Sequence, residues 1–376
     1  MAESIDVIRS LIGFDTTSSR SNLDCLDFVH DYLDEHGVSA TVFPTDPQKA
    51  NLIATVPGRD GATTGGILLS GHVDVVPAAP AVWTATPFDA SIADGRIIGR
   101  GAADMKAFCG IVAAWLTRFA HVRPRWPVHF LLTHDEETGC AGAHAIAPHI
   151  EQLAPRVCVV GEPTGCEVAT SHRGCTRWST TVRGVGAHTS DPALGVNAVH
   201  GAVALLSALT SIARENADRA TVTVTSINGG TAENVVPDAC TMAMELRCDS
   251  SSVESEIEAM VSRAVACVDT DLRAQHPQAG AEIHTVVRVP PLTAAAPDRS
   301  DRVVSELIAV LSPDETTAGS VRYGTEAGIF QRLGVPTVLW GPGSIDQAHT
   351  VDEYIEIAQI ETCVAALDRL SAWLEA

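Results

Sequence analysis

Short apolar runs alternate with amphipathic stretches along the first part of the chain and again near its end. Each run has the length and the apolar composition of a strand buried on both faces. The strands predicted in this way are Leu52–Val56, Ile67–Ser70, Val128–Thr133, Val157–Val160 and Thr337–Trp340. Amphipathic patterns between these runs predict helices at about Lys106–Phe119 and Ala141–His149. The alternation predicts an α/β domain in which a mixed, mostly parallel sheet is flanked by helices.

Both ends of the chain carry a helical pattern. From Ile5 to about Ala50 the residues read as helix, with an amphipathic face that includes Leu26, Val29 and Leu33. Near the C-terminus, helices are expected at Asp301–Leu311 and Ile357–Glu375. These helices would pack against the sheet of the α/β domain.

The pattern changes between the two α/β parts, where polar and apolar residues alternate as in half-buried strands. The predicted elements are a strand around Trp178–Val182, a helix at Asn197–Arg214, strands at Thr221–Ile227 and Thr241–Arg247, a helix at Val253–Val268 and a strand at Glu282–Val287. This order is that of the split βαβ, ferredoxin-like unit. We therefore expect an inserted α+β domain at residues 175–289, within a first domain formed by residues 1–174 and 290–376.

Charge and composition narrow the functional classes. The chain has 376 residues and a formal net charge of -21, with 46 acidic and 25 basic residues. A field of this sign repels nucleic acid and anionic membranes, so neither is expected as a partner. The ten cysteines form no CxxC pair and are expected to be reduced thiols. Without a signal-peptide pattern or an apolar stretch of ~20 residues, a cytoplasmic protein is expected.

Five short segments place a potential metal ligand after an apolar run or a glycine-rich turn. They are Gly71-His72-Val73-Asp74, Gly101-Ala102-Ala103-Asp104, Asp135-Glu136-Glu137, Gly161-Glu162-Pro163 and Ala348-His349. Ligands collect at the carboxyl ends of the strands in an open parallel sheet, so these side chains are expected at one edge. Two histidines with several carboxylates predict a two-metal hydrolytic site.

Each of these residues also has a simpler interpretation. His72 can be a hydrogen-bonded loop histidine, although Asp74 two residues later is placed to accept a ring N–H. Asp104 precedes an apolar helix and can be its N-cap. Glu136 and Glu137 can form a solvated acidic turn, but adjacent side chains point in different directions, so one can bind a metal while the other faces a water. The convergence of all five segments favours the metal site.

The same motifs, in the same order, resemble the dinuclear zinc metallopeptidase and deacylase family. That family includes acetylornithine deacetylase, succinyl-diaminopimelate desuccinylase, aminoacylase and carboxypeptidase G. The segments that carry the resemblance beyond those above are Gly99-Arg100-Gly101, Gly186-Ala187-His188, the run from Ser190 to Ala198, Thr325-Glu326-Ala327 and Gly341-Pro342-Gly343-Ser344. Among the members, the acetylornithine deacetylases look most similar.

The resemblance implies a role for each ligand. His72 and Glu162 would bind one metal ion and Glu137 and His349 the other, with Asp104 as the bridge. Asp74 would orient His72, and Glu136 would be the general base that acts on a metal-bridging water. Two divalent ions are implied; Zn²⁺ is expected, and Co²⁺ or Mn²⁺ could substitute.

The resemblance also assigns residues outside the metal ligands. His188, in the inserted lid domain, would stabilise the oxyanion. In dimeric members of the family, this histidine comes from the partner subunit. The residues implied in substrate binding are Asn234, Arg247, Thr325 and Glu326. The run from Glu245 to Asp249 and Gly328 depart from the acetylornithine deacetylase pattern, which bears on the shape of the substrate pocket.

The implied protein is a zinc-dependent deacylase that forms a homodimer through its lid domain. It would remove an N-acyl group, acetyl above all, from a small N-acyl amino acid such as N2-acetylornithine, as in arginine biosynthesis. The open alternatives are a dipeptidase or carboxypeptidase, or a deacylase of the N-succinyl or aminoacylase type. A catalytically silent metal-dependent binding protein is a further alternative, against which the intact Glu136 argues.

Overall fold

The structure of the chain is a computed structural model that describes residues 1–294, 302–313 and 319–376. The described strands are, in chain order, β1 (Ser39–Asp46), β2 (Lys49–Val56), β3 (Ile67–His72), β4 (Ser91–Ala93), β5 (Arg96–Ile98), β6 (Val128–Thr133), β7 (Val157–Val160), β8 (Ala169–His172), β9 (Gly174–Arg183), β10 (Ala220–Gly229), β11 (Ala239–Cys248), β12 (Gly280–Val289), β13 (Gly319–Val321), β14 (Thr337–Leu339) and β15 (Tyr354–Glu356). The described α-helices are α1 (Ala2–Gly13), α2 (Leu23–Glu35), α3 (Ala107–Thr117), α4 (Ala141–Leu153), α5 (Ala198–Glu215), α6 (Ser251–Gln275), α7 (Arg302–Leu311), α8 (Ala327–Arg332) and α9 (Ile357–Glu375).

These elements form two compact units. The first unit contains Met1–Ser171 and Ala294–Ala376, and the second contains His172–Thr293. The insertion expected at residues 175–289 lies within the second unit, which begins a few residues earlier and ends a few residues later.

The first unit is built on a sheet with the strand order β1-β2-β6-β3-β7-β14-β8-β13. Its central strands β6, β3, β7 and β14 are parallel to one another, whereas β1 and β2 are antiparallel. Every residue of β3, β6 and β7 is buried. Strands covered on both faces have no polar side to show, which is why they read as continuous apolar runs. The predicted mixed, mostly parallel sheet is confirmed.

Helix α3 supplies much of the covering layer. All of its residues from Ala107 to Thr117 are buried. Its Trp115 lies in the core and donates a hydrogen bond of 2.9 Å from Nε1 to the main-chain oxygen of Leu367 in α9. The last helix of the chain is thereby tied to the helix that follows Asp104.

The helical pattern predicted from Ile5 to about Ala50 is confirmed as far as Glu35 and is wrong beyond it. Helix α1 ends at Gly13, α2 ends at Glu35, and the chain then turns at Gly37, which has a positive φ of 75°. The strands β1 and β2 follow as an antiparallel pair. The strand β1 was missed because it lies at the edge of the sheet and is mostly exposed, so it lacks a regular apolar alternation. For the helix predicted to begin at Asp301, that first residue lies outside the described residues, and α7 begins at Arg302.

The second unit has the chain order β9-α5-β10-β11-α6-β12 and the sheet order β10-β11-β9-β12. All three strand pairings are antiparallel. A separate apolar core, which includes Trp178, Leu205, Met244 and Val265, holds the helices on the sheet. The predicted ferredoxin-like order is confirmed.

Two further expectations bear on the environment of the chain. Among the described helices, none is both long and apolar enough to cross a bilayer. All ten cysteines are free, and all except Cys166 and Cys267 are buried. Their redox state stays a prediction.

Candidate metal centre

Three neighbouring parallel strands deliver the first group of polar side chains to one edge of the sheet. His72 is the last residue of β3, Glu136 and Glu137 follow the end of β6, and Glu162 lies two residues beyond β7. Because β6, β3 and β7 are adjacent and parallel, their carboxyl ends meet. The convergence predicted from the sequence is therefore present in the structure.

The five predicted ligands form two overlapping groups. The ligand atoms of His72, Asp104 and Glu162 all lie within 4.8 Å of one another, and so do those of Asp104, Glu137 and His349. The two oxygens of Asp104 face different partners: Oδ1 lies 3.1 Å from His72 Nε2, and Oδ2 lies 3.3 Å from His349 Nε2. Asp104 is thus placed to bridge two cations.

The helix N-cap interpretation of Asp104 is not supported. Helix α3 begins at Ala107, and its N-cap is Lys106. The backbone of Asp104 is non-helical, with φ -123° and ψ 95°, inside a wide turn formed by Ala102–Lys106. This turn directs the carboxylate to the two histidines instead of to the start of the helix.

The burial of so many acidic groups together indicates where cations fit. Burial, followed by the charges of Asp104 and Glu136, raises the pKa of Glu162 well above its ordinary value. The oxygen Oε1 of Glu162 is buried, and no described residue donates a hydrogen bond to it. Such an orphaned carboxylate oxygen is costly unless a cation binds it. The donor set of imidazole and carboxylate groups suits Zn²⁺ and related divalent ions.

The pKa values of the histidines in the two groups are raised as well. Burial alone would lower the pKa of His72, but hydrogen bonds to Asp104 and Asp74 outweigh it and raise that pKa well above its ordinary value. Hydrogen bonds to Asp104 and Glu137 raise the pKa of His349 to about 10. Both shifts have the same cause, which is the close approach of each imidazole to the carboxylates of its group.

Glu136 lies beside both groups but belongs to neither. Burial, together with Glu137 and Asp104, raises the pKa of Glu136 well above its ordinary value, although His72 opposes this. The carboxylate is half-buried, and its Oε1 lies 3.6 Å from the thiol of Cys140. Glu136 is therefore a carboxyl group next to the predicted metal ligands and outside both ligand groups.

Asp74 contacts both His72 and the Glu136–Glu137 segment at this edge of the sheet. Its Oδ1 accepts a hydrogen bond of 3.0 Å from the main-chain N–H of Glu136, and its Oδ2 accepts bonds from Ser18 Oγ (2.8 Å) and the N–H of Glu137 (3.3 Å). The nearest partner of His72 Nδ1 is the main-chain oxygen of Asp74 at 2.9 Å, with the Asp74 carboxylate at 3.5 Å. Asp74 thus positions the Glu136–Glu137 pair as well as His72.

A second supporting contact was missed in the sequence. Asp135, the residue before Glu136, has a positive φ of 54°. Its carboxylate accepts a hydrogen bond of 2.6 Å from Lys49 Nζ, and His134 Nδ1 lies 3.2 Å from its other oxygen. The buried Lys49 also donates to the main-chain oxygen of Ser18, whose hydroxyl donates to Asp74. One ammonium group therefore connects Asp135 to the residue that supports Asp74. A lysine at the start of an apolar strand was the available signal.

Comparisons with known proteins agree with this geometry. Residues 68–372 match the sequence profile of Peptidase family M20/M25/M40. The chain is 32% identical over 370 residues to the acetylornithine deacetylase of Shigella sonnei (strain Ss046). The aligned region covers 94% of this chain and 92% of that protein. The chain belongs to the M20 family.

Solved structures of M20 and related peptidases share the fold. The aminopeptidase PepT of Bacillus cereus superposes with a TM-score of 0.74 at 20% identity and covers 100% of this chain and 99% of that one. The M20 metallo-carboxypeptidase Sso-CP2 of Sulfolobus solfataricus superposes with a TM-score of 0.75 at 15% identity, and 98% of each chain is covered. A dinuclear metal-binding M20 peptidase of Bacillus subtilis gives a TM-score of 0.68 at 15% identity and covers 100% of this chain and 98% of that chain. This chain is an M20 hydrolase with a metal-binding cluster.

The structure does not support substrate contact by Thr325 and Glu326, the two residues of the first unit for which the M20 resemblance implied it. Both are fully buried. The carboxylate of Glu326 accepts hydrogen bonds from Ser70 Oγ (2.5 Å) and Thr133 Oγ1 (2.7 Å), and the hydroxyl of Thr325 accepts the N–H of Ala327. Glu326 therefore links β3 to β6, and Thr325 bonds to the start of α8. Their motif was visible in the sequence, but their burial was not.

The second unit brings two of its predicted residues together. His188 forms a β-bridge with Val235, and the N–H of Thr189 donates to the main-chain oxygen of Asn234. His188 Nδ1 accepts the N–H of Ser190 at 3.1 Å, so a neutral ring carries its proton on Nε2. The exposed Nε2–H is then a hydrogen-bond donor available to an anion.

Arg247 lies elsewhere in the second unit. It is near the end of β11. The strand starts at Ala239, and Asn234 and His188 lie beyond that start. At the usual rise of a strand, the separation along β11 is about 25 Å. The guanidinium is half-buried and donates to Glu245 Oε1 at 2.8 Å. One small substrate therefore cannot contact Arg247 and Asn234 of the same unit.

Proposed function

We propose that this chain is a Zn²⁺-dependent deacylase that removes the acetyl group from an N-acyl amino acid such as N2-acetylornithine. The observation that carries the hydrolytic part of the proposal is the pair of overlapping ligand groups that share Asp104, with Glu136 beside them. The similarity to the Shigella sonnei acetylornithine deacetylase supports the choice of substrate.

The ligand groups suggest how the cations would be held. His72, Asp104 and Glu162 would hold one, and Asp104, Glu137 and His349 the other. When bound, two such cations polarise an amide carbonyl and lower the pKa of a shared water. His72 and Glu162 are nearly inaccessible, which would exclude bulk solvent from this side of the site.

Glu136 would move the proton. Its carboxylate lies beside both ligand groups, and Asp74 accepts a hydrogen bond from its main-chain N–H, which would hold the side chain near the reacting water. It would accept a proton as the water attacks the amide carbon and then pass that proton to the leaving amine. The Nε2–H of His188 would stabilise the negative charge that develops on the carbonyl oxygen.

The layout of the second unit favours a homodimer. His188 and Asn234 lie at one end of the unit and Arg247 at the other, so a complete site would draw on lid residues from two copies of the chain. In that arrangement, Arg247 would bind the carboxylate of the substrate in one copy, and His188 and Asn234 would come from the partner.

The proposed substrate would place the reaction in arginine biosynthesis. We also propose the cytoplasm as its location, since ten free cysteines suit a reducing compartment.

A substrate panel tests the proposal. Metal-free protein would be loaded with Zn²⁺, Co²⁺ or Mn²⁺ and assayed by ninhydrin for amine release from N2-acetylornithine, N-succinyl-diaminopimelate, N-acetylmethionine and a dipeptide. We expect the highest kcat/KM for N2-acetylornithine and no turnover without metal. Preference for the dipeptide would show a peptidase instead, preference for the N-succinyl compound or N-acetylmethionine would show another deacylase, and no turnover of any compound would contradict hydrolysis.

A further inference from the structure

Glu353 carries a carboxylate that is fully buried close to the bridging ligand. Its Oε1 accepts the main-chain N–H of Ala103 at 2.9 Å and that of Asp104 at 3.1 Å. Its Oε2 accepts a hydrogen bond of 2.6 Å from Nη1 of Arg100, which is also buried. This acid does not belong to either ligand group, but it binds the peptide that carries Asp104.

The backbone around Glu353 is held in register by a small separate sheet. The strand β15 pairs with β5 so that Tyr354 lies opposite Ile98, and the N–H of Gly99 donates to the main-chain oxygen of Glu353 at 2.8 Å. Arg100 also reaches Pro77, with Nη2 lying 3.5 Å from its main-chain oxygen. The carboxylate therefore has a fixed position beneath the turn.

The turn that carries Asp104 needs such support. Asp104 and Met105 depart from helical φ and ψ, so this stretch does not have the regular hydrogen bonds of α3. The two oxygens of Asp104 must face two different cations, and a rotation of its peptide would misdirect at least one of them. A charged acceptor that binds two successive N–H groups resists that rotation.

Glu353 is also only a few residues from the other end of the site. His349, four residues earlier in the chain, has a positive φ of 58°, and its side chain is 45% exposed. By contrast, His72 and Glu162 are buried at the ends of β3 and β7. Glu353 thus connects the turn of Asp104 to the segment of His349, which carry two of the three ligands in the group Asp104, Glu137 and His349. Of the group His72, Asp104 and Glu162, only Asp104 lies on either segment.

We propose that Glu353, held by Arg100, is a positioning residue that sets the affinity of the cation site formed by Asp104, Glu137 and His349. The inference rests on the proposed two-metal function and deepens it. Residues that orient metal ligands typically contribute about 10- to 100-fold to metal affinity. The site formed by His72, Asp104 and Glu162 should depend on Glu353 much less.

The test is a metal titration of Glu353→Gln, which keeps the size of the side chain and removes its charge. Metal-free protein would be titrated with Zn²⁺ against a chromophoric chelator, with stoichiometry from equilibrium dialysis. We expect two ions in the wild type, and in the variant one ion bound as before and a second bound about 10- to 100-fold more weakly. Excess Zn²⁺ should restore most of the turnover.

The matched control is Glu256→Gln, which also removes a carboxylate paired with an arginine, Arg219, but at the surface. It should bind both ions as the wild type does. If Glu353→Gln does not fold, Glu353→Asp replaces it, because the shorter acid keeps its charge but withdraws from the two N–H groups; the same selective weakening is expected.

The outcomes separate this inference from the proposed function. Wild-type affinity at both sites in the folded variant would overturn the inference alone. Equal weakening of both sites together with a lower melting temperature would also overturn it, because that pattern indicates a general structural role. Fewer than two ions in the wild type would overturn the two-metal function and this inference with it.

Discussion

Carboxylates behave in opposite ways in the two units of this protein. In the second unit, Glu245 lies 2.8 Å from Nε of both Arg177 and Arg247, and these hydrogen bonds lower its pKa to about 2 despite partial burial. In the first unit, burial and then the charges of neighbouring acids raise the pKa values of Glu136 and Glu162 well above the ordinary range.

The difference lies in where the positive charge comes from. The chain supplies an arginine for each of several acids of the second unit, as in Arg183–Glu282 and Arg288–Glu258. At the edge of the first sheet it supplies two histidines for a larger number of acids. An acid cluster that is buried and left short of cations is expensive to maintain. This excess of buried acids over cationic side chains supports the proposal that the cluster binds metal ions.

The largest effect is expected from Glu136→Gln, because this acid has neither an arginine nor a predicted metal as partner. Loss of a general base typically lowers the rate by about 100- to 10,000-fold. We expect a fall in kcat of this size with both ions retained, measured by steady-state kinetics and by metal analysis of the same samples.

Glu137→Gln is the matched comparison for that variant. It changes the adjacent acid, which lies 2.9 Å from His349 in the second ligand group, and should lower metal content as well as turnover. A wild-type kcat for Glu136→Gln would remove this residue from the base role, and metal loss in that variant would make it a ligand.

The next effect concerns His188, which is a donor in the second unit and is remote from both ligand groups in the sequence. Loss of one oxyanion donor costs roughly 100- to 1000-fold in rate. His188→Ala should therefore lower kcat by about this factor while both ions stay bound. The exposed His200→Ala, in the same unit, should change neither. Metal loss without a catalytic defect would contradict the assignment of His188 to the lid.

The smallest effect is expected where the chain supplies its own counter-charge. A partly exposed ion pair contributes up to about 1 kcal/mol, so Glu245→Gln should lower the free energy of unfolding by no more than that at pH 7. The folded pKa of Glu245 lies below the unfolded value of ~4.3, so its stabilisation is present above that pH and is lost as pH falls toward about 2. The difference between variant and wild type should therefore shrink in this range.

Urea unfolding at several pH values measures this difference, and the metal content of Glu245→Gln should equal that of the wild type. A loss of several kcal/mol, or a loss of metal, would show that charges in the second unit are as strongly coupled to their surroundings as those of the metal centre. The contrast between the two units would then fail.

Much of the site followed from the sequence because strands buried on both faces leave a clear pattern. The ends of β3, β6 and β7 could be located within a few residues, and the ligands His72, Glu137 and Glu162 were predicted with them. The edge strand β1 could not be found in this way, since it is mostly exposed and carries no such pattern.

The supporting residues could not be predicted, and the substrate-binding role implied for two neighbouring residues is not supported by their burial. Lys49 and Glu353 act on Asp135 and on the turn at Asp104 from distant parts of the chain. Thr325 and Glu326 stand in a motif that suggested substrate contact, but they are fully buried. A local motif records that a residue is polar and does not record which way it faces.

The sequence by itself determined the kinds of side chain that reach the edge of the sheet, because the order of apolar runs fixes which residues follow the buried strands. Only the tertiary structure decided which acid does what: Asp104 between two histidines, Glu136 free of both ligand groups, and Glu326 and Glu353 engaged by protein donors. The reason is physical. Desolvation and hydrogen bonding act through space, and the groups that supply them to one carboxylate come from segments far apart in the chain.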